Sequence, residues 1–315
     1  MDHGYHLPRS FGTRRRGGLP LISIAAIGLV LLTLVGVVRP AVGEPRKNGG
    51  NADEVDTEHM FGFITGTDIG EVGDKELESE TTGRLGKRAG SYTALSHKLA
   101  LEYTPLQNLR FEMGAIQSYH DISGVPELDD LRRGAFQGLS FEVRYRLLSR
   151  EQSGIGLTIL AEPHWSRVDD TSGQLVNRYG AGLAILMDKE LIPNRVVAAF
   201  NLLYDPEVKK FQDTMEWSRE ATYGVGAGLM NQIWPGVFVG AEARYLRHYE
   251  SFGFDRFAGH AVSVGPNLFI RPSEQWRITA TWTMQVAGKT AGDSSPLDLM
   301  NFERHDVRLR IGYYF

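Results

Sequence analysis

No cysteine occurs among the 315 residues, which excludes disulfides, thiolate–metal sites and a lipid-modified cysteine anchor. An excess of positive charge is also missing. The chain carries 34 Lys/Arg against 38 Asp/Glu, a balance unsuited to nucleic acid, which needs a basic face. Beyond residue 45 no stretch is both apolar enough and long enough for a spanning helix. Catalytic signatures are absent as well: there is no Gly-x-Ser-x-Gly, no His-Glu-x-x-His and no His closely followed by Ser-Asn-Gly. Asp169-Asp170 with Gly173 is too short for a calcium loop, whose ligands spread over about twelve positions. These absences lead to an expectation of no enzyme activity, no cofactor, no bound metal and no nucleic-acid partner.

The one long apolar run is N-terminal. Arg9, Arg14, Arg15 and Arg16 precede Leu19 to Val38, followed by Arg39-Pro40-Ala41-Val42-Gly43-Glu44. A basic region, an apolar core and small residues at Ala41 and Gly43 predict a signal peptide over 1–43, cleaved before Glu44. Pro40 ends the helical core just before that site. An uncleaved inner-membrane anchor is the alternative, because the run is about as long as a spanning helix. Five of the Lys/Arg and one of the Asp/Glu lie in 1–43, so the remainder has 29 basic and 37 acidic residues, a net charge of −8. Residues 44–56 read as a short periplasmic segment and 57–315 as one all-β domain.

What is present is alternation. Leu139, Phe141, Val143, Tyr145 and Leu147 alternate with Ser140, Glu142, Arg144 and Arg146. Ile278, Ala280, Trp282, Met284 and Val286 alternate with Arg277, Thr279, Thr281, Thr283 and Gln285. Successive strand side chains face opposite sides of a sheet, so each is a strand with one apolar and one polar face. Twelve such segments are predicted, near 57–67, 91–104, 109–120, 135–148, 154–166, 175–188, 194–205, 216–231, 236–249, 259–271, 276–287 and 302–315. Alternation alone fits a water-soluble sandwich equally well. Connection lengths separate the two, because short links near 105–108, 149–153, 189–193, 232–235 and 272–275 alternate with long ones near 68–90, 121–134, 167–174, 206–215, 250–258 and 288–301. Aromatics gather at strand ends: Tyr92, Tyr119, Trp165, Tyr204, Trp217 and Tyr249 on the long-loop side, Tyr103, Trp234, Trp276 and Phe315 on the other.

The last nine residues join these signals. Val307, Leu309, Ile311, Tyr313 and Phe315 share one face, Arg308, Arg310, Gly312 and Tyr314 the other. Such a strand resembles the closing strand of bacterial outer-membrane β-barrels, with tight periplasmic turns, long outer loops and aromatic girdles. The resemblance implies a closed antiparallel up-and-down transmembrane barrel of about twelve strands in the bacterial outer membrane. It also implies outer-membrane lipid and lipopolysaccharide as surroundings, and a barrel-assembly machinery that reads Phe315. Phe61-Gly62-Phe63 to Asp68, with Gly70 to Glu78 and Gly83 to Tyr92, is similar to uncharacterised outer-membrane barrel families, some grouped with transporters of aromatic compounds.

The polar faces nominate the lumen charges: Lys98, Glu102, Arg110, Glu112, Glu142, Arg144, Arg146, Arg178, Glu242, Arg244, Arg277, Arg308 and Arg310. They are either a structural ion-pair network or an arginine ladder for anions. Glycines at 180, 182, 224, 226, 228 and 240 leave lumen space, favouring a passage. Asp68, Glu71, Asp74, Glu76, Glu78 and Glu80, followed by Arg84, Lys87 and Arg88, read as a solvated first long loop, with a lumen constriction or a divalent-cation site as alternatives. The expected function is a narrow porin-like channel for small solutes, anionic or aromatic among them. The alternatives are a non-transporting adhesive or structural barrel, or a lipid-modifying enzyme using His97, His120, or His164 with Glu162, beside Ser96, Ser118 or Ser140.

Overall fold

Polar–apolar alternation carries through into twelve strands in the computed structural model, which describes residues 55–315. The signal peptide expected over 1–43, and residues 44–54 after it, lie outside the described residues. The strands are β1 (Lys75–Leu85), β2 (Ser91–Leu106), β3 (Leu109–Ser123), β4 (Leu131–Leu148), β5 (Gly156–Val168) and β6 (Leu175–Ile192). They continue as β7 (Val196–Phe211), β8 (Trp217–Trp234), β9 (Val237–Tyr249), β10 (Phe257–Ile270), β11 (Trp276–Thr290) and β12 (His305–Tyr314). One helical turn, α1 (Arg150–Ser153), sits between β4 and β5 and ends on Gly154 in the left-handed region, φ 71°, a conformation without penalty only for glycine.

Each strand pairs antiparallel with its chain neighbours, and β1 pairs with β12 to close the barrel. Closure leaves no edge, so every strand's backbone groups find partners without water. Thr82 lies opposite Arg308 and Glu78 opposite Gly312 at the seam.

The barrel is inside-out relative to a soluble protein. Leu101, Met113, Leu139, Phe141, Ile159, Ile185, Leu229 and Trp282 lie exposed on its outer wall, whereas Thr, Glu, Arg and Ser make up most of the buried polar side chains. An apolar belt of that extent is stable against lipid. Trp217, Trp234, Trp276 and Phe315 are exposed at the two rims. Tyr92 and Tyr249, also expected in the girdle, are instead buried beneath the loops of the long-loop side.

The first strand is a correction. Residues 57–67 form no strand, and the strand that pairs with the C-terminal one is Lys75–Leu85, inside the stretch expected to be a loop. Glu76, Glu78 and Glu80 point inward from it, so the acidic run is not a solvated loop. The remaining strands lie where alternation put them, but several run further. β7 reaches Phe211 rather than 205 and β6 reaches Ile192 rather than 188, which shortens the connections expected at 206–215 and 189–193 respectively. With residues 57–67 off the wall, their apolar side chains require another place.

Candidate functional site

That place is the lumen. Residues 55–74 fold back into the short-turn half of the barrel, and Met60, Phe61, Ile64 and Ile69 have no exposed surface at all. Met60, Phe61 and Ile64 pack with Val55 against Val197, Ala199, Met230, Phe238 and Phe269. Burial of side chains of this size favours docking by about 1.5–3 kcal/mol each. The glycines on β8 make the room: a Cβ on Gly226 would run into Ile64 and one on Gly228 into Phe61. At Gly226 and Gly228 the space that read as passage is therefore occupied by the chain itself, whereas Gly182 lines open space nearer the long loops.

Polar contacts fix the segment at both ends and in the middle. Asp188 on β6 accepts from the Thr57 hydroxyl at 2.6 Å and from the Thr67 amide at 2.8 Å, tying together the two ends of the loop. Arg150 on α1 donates to Asp188 at 3.1 Å, to Asp68 at 2.9 Å and to the Val55 carbonyl at 2.6 Å. In the middle, the amides of Gly62, Phe63 and Ile64 all donate to the Glu242 carboxylate, at 2.6, 2.8 and 3.2 Å. Successive amides converging on one carboxylate form an anion nest. Asn267 completes it, donating to Glu242 at 2.9 Å and to the Met60 carbonyl at 3.0 Å. Asn201 both accepts from and donates to the Thr65 backbone, at 2.7 and 2.9 Å. The Phe63 ring lies between two guanidinium groups, Arg244 at 3.9 Å and Arg308 at 4.6 Å from its centroid.

All thirteen nominated charges lie on the inward face, and the structure supplies partners for them. Arg110 is surrounded by Glu58, Glu102, Glu112 and Glu142. Arg144 pairs with Glu142 at 2.6 Å and Lys98 with Glu112 at 2.6 Å. Arg310 spans Glu78 at 3.2 Å and Glu80 at 2.7 Å, and Arg308 lies 3.4 Å from Glu80. Arg178 binds Asp170, Arg244 binds Asp306 at 2.7 Å and Arg277 lies 3.5 Å from Asp56. Arg146 donates to the Gln107 carbonyl at the rim, 2.9 Å away. Buried pairs of this kind hold geometry, and removing one partner is costly. Glu58, His59, Glu76, Glu78, Glu80, Arg150 and Asp188 went unnominated. The period-two spacing Glu76-Glu78-Glu80 was the signal for three of them.

Three residues of the plug formed by 55–74 have displaced protonation. Burial pushes Asp56 up, but the Arg277 and His59 charges outweigh that and hold its carboxyl below the usual carboxylate range. Burial alone would depress His59, but the carboxylates of Glu76 at 2.9 Å and Glu78 at 3.1 Å hold it well above 6.5. Burial pushes Asp68 up to about 6 against the pull of Arg150, with the Asp188 and Asp56 carboxylates adding to the rise. On the long-loop side, Arg178 and Arg84 overcome burial and hold Asp170 well below the usual carboxylate range.

Above the plug lies a cavity of about 380 Å³. Its wall carries eight carboxylates (Glu78, Glu80, Glu112, Glu142, Glu162, Asp170, Asp205 and Glu207) and six Arg/Lys groups (Arg84, Lys98, Arg144, Arg178, Arg308 and Arg310). Donor atoms come close enough for a metal at Glu58–His59–Glu102, Glu78–Glu102–Glu112 and His164–Asp205–Glu207. Arg110 occupies the first two sets and Arg178 reaches Glu207 at 3.5 Å in the third, so a cation is already built into each. His97 bonds Thr81, His120 the Asp170 carbonyl and His164 Glu207. Among the described residues no serine hydroxyl bonds any of these histidines.

Residues 53–315 match the model of a family described as Family of unknown function (DUF6662). No curated protein matches the chain. Among solved structures, it is similar to the COG4313 outer membrane channel from Pseudomonas putida F1, with TM-score 0.56 and 12% identity over 79% of this chain and 98% of that one. It is similar also to the β-domain of the Bordetella autotransporter BrkA, with TM-score 0.52 and 13% identity over 77% of this chain and 100% of that one. At such identities the likeness is one of fold, the outer-membrane β-barrel.

Proposed function

We propose that this chain, which belongs to the DUF6662 family over residues 53–315, is a porin-like outer-membrane channel gated by its own N-terminal segment. The observation that carries the reading is the fit of residues 55–74 across the short-turn half of the lumen, beneath a polar cavity. Twelve strands enclose more space than side chains alone fill and less than a wide aqueous pore. A docked peptide therefore closes what would otherwise be a narrow conduit. Selectivity follows the wall. Because each cavity arginine has a carboxylate partner and carboxylates outnumber Arg/Lys by two, the open form favours small cations or zwitterions, where an unpaired arginine ladder would have favoured anions.

One observation favours a second reading. The plug makes so many polar contacts that a permanently sealed, non-transporting barrel is consistent with them. Planar-bilayer recording separates the two. A gated channel gives long closed periods broken by openings in the intact barrel, continuous conductance in a variant lacking residues 55–70, and a cation-selective reversal potential. Silence of both forms removes the channel. Silence of the intact form alone, across voltage and pH, leaves the sealed barrel, and anion selectivity removes the assignment of solute charge.

A further inference from the structure

Outside the lumen, one sector of the wall departs from the apolar belt. The loop after β9, residues 250–256, folds outward over β7–β9, where the Tyr204 and Tyr223 hydroxyls both donate to the Phe252 carbonyl, at 3.0 and 2.7 Å. Phe254 stacks on Tyr223 at 4.4 Å, and Tyr223 on Tyr204 at 4.7 Å. Phe254 itself remains 73% exposed.

Cations frame this aromatic shelf. Arg247 lies 4.9 Å from the Phe257 ring and Arg219 5.8 Å from the Phe252 ring, both on outward-facing strand positions. Lys210 stands 5.8 Å from exposed Trp217. None of Lys210, Arg219 and Arg247 has a carboxylate partner among the described residues. The acids nearby do not serve them: Glu216 and Glu250 form no ion pair with them, and Asp255 is engaged by the Ser251 hydroxyl at 2.8 Å. The contrast with the lumen is sharp, since the arginines of its cavity have acidic partners. An unpaired cation on a lipid-facing wall is costly unless the lipid supplies the anion.

We propose that this sector of β7–β10, on the long-loop side, is a docking site for a phosphorylated glycolipid of the outer leaflet. Guanidinium groups bind phosphate oxygens in a fork, and the flat aromatic shelf takes the sugar ring beside them. The proposal stands whether or not the lumen conducts.

Native mass spectrometry of the full barrel, released from detergent with added bis-phosphorylated lipid A, tests it. Adducts should survive with lipid A, and binding should be about tenfold weaker with its dephosphorylated form and in the double variant Arg219→Gln/Arg247→Gln. Arg132→Gln, at the rim beside Asp121 and Tyr119, should bind like the parent. Heat-modifiable gel migration verifies that each variant is folded, and if the double variant is not, the comparison of phosphorylated and dephosphorylated lipid on the parent still decides. Equal binding of the two lipids, or of lipid A to parent and folded double variant, overturns the proposal. So does equal retention of phosphatidylglycerol, which would make the sector a general anionic-lipid surface.

Discussion

The Glu242 carboxylate accepts the backbone amide of Phe63 at 2.8 Å, across 179 residues of sequence. With the flanking amides of Gly62 and Ile64 on the same carboxylate, β9 recognises the backbone of the plug rather than a particular side chain. Charge-assisted hydrogen bonds are about twice as strong as neutral ones, and stranding buried amides adds a desolvation penalty.

Glu242→Ala should therefore weaken docking of the segment by about 3 kcal/mol without disturbing the strands. Hydrogen exchange at residues 60–66 should rise by about a hundredfold while exchange in β8 and β9 stays slow. Unchanged protection at 60–66 would mean that Glu242 does not hold the plug.

Docking should also depend on pH. His59 is favoured as the cation when docked, so its contribution is fully present below its ordinary value of 6.5 and is lost as pH rises through the higher docked value. Asp68, raised to about 6 from 3.8, binds an extra proton in the docked state between those values, so docking also weakens as pH rises from about 4 to about 6. Both effects have the same sign. Limited proteolysis of the segment should quicken as pH rises from about 4 into alkali, and His59→Gln should flatten only the arm above 6.5.

Gly228→Leu places a side chain where Phe61 sits. Overpacking costs about 1–3 kcal/mol, and the segment is the part that can move, so conductance should rise although the lumen wall has gained volume. A fall in conductance would show that the plug stays and the pore narrows.

Arg110→Ala leaves Glu58, Glu102, Glu112 and Glu142 facing one another without their shared cation. An uncompensated buried charge costs about 3–5 kcal/mol, so the temperature at which the barrel loses its fast-migrating gel form should drop clearly. A second change, Glu142→Gln, should recover part of the loss.

The barrel was legible because lipid and lumen impose opposite demands on alternate residues. Arg308 and Arg310 opposite Leu309 and Ile311 leave no other assignment of faces. The first strand was illegible for the same reason in reverse. Leu77, Ser79, Thr81 and Gly83 make a weakly apolar outer face, so Glu76, Glu78 and Glu80 read as a loop. Phe61 and Phe63 meanwhile imitate strand alternation just upstream, although Phe61 packs on Gly228 and Phe63 lies between Arg244 and Arg308.

The amino-acid order alone determined the barrel, eleven of its twelve strands and the faces on which their charges and apolar side chains lie, because strand faces are set by neighbours two residues apart. Only the tertiary structure decided what fills the lumen. The polar side chains that hold residues 55–74 include the acceptors Asp188, Asn201 and Glu242 and the donor Asn267, scattered over β6 to β10 and brought together by barrel closure. No local pattern distinguishes a carboxylate that will hold a peptide amide from one that will hold an arginine.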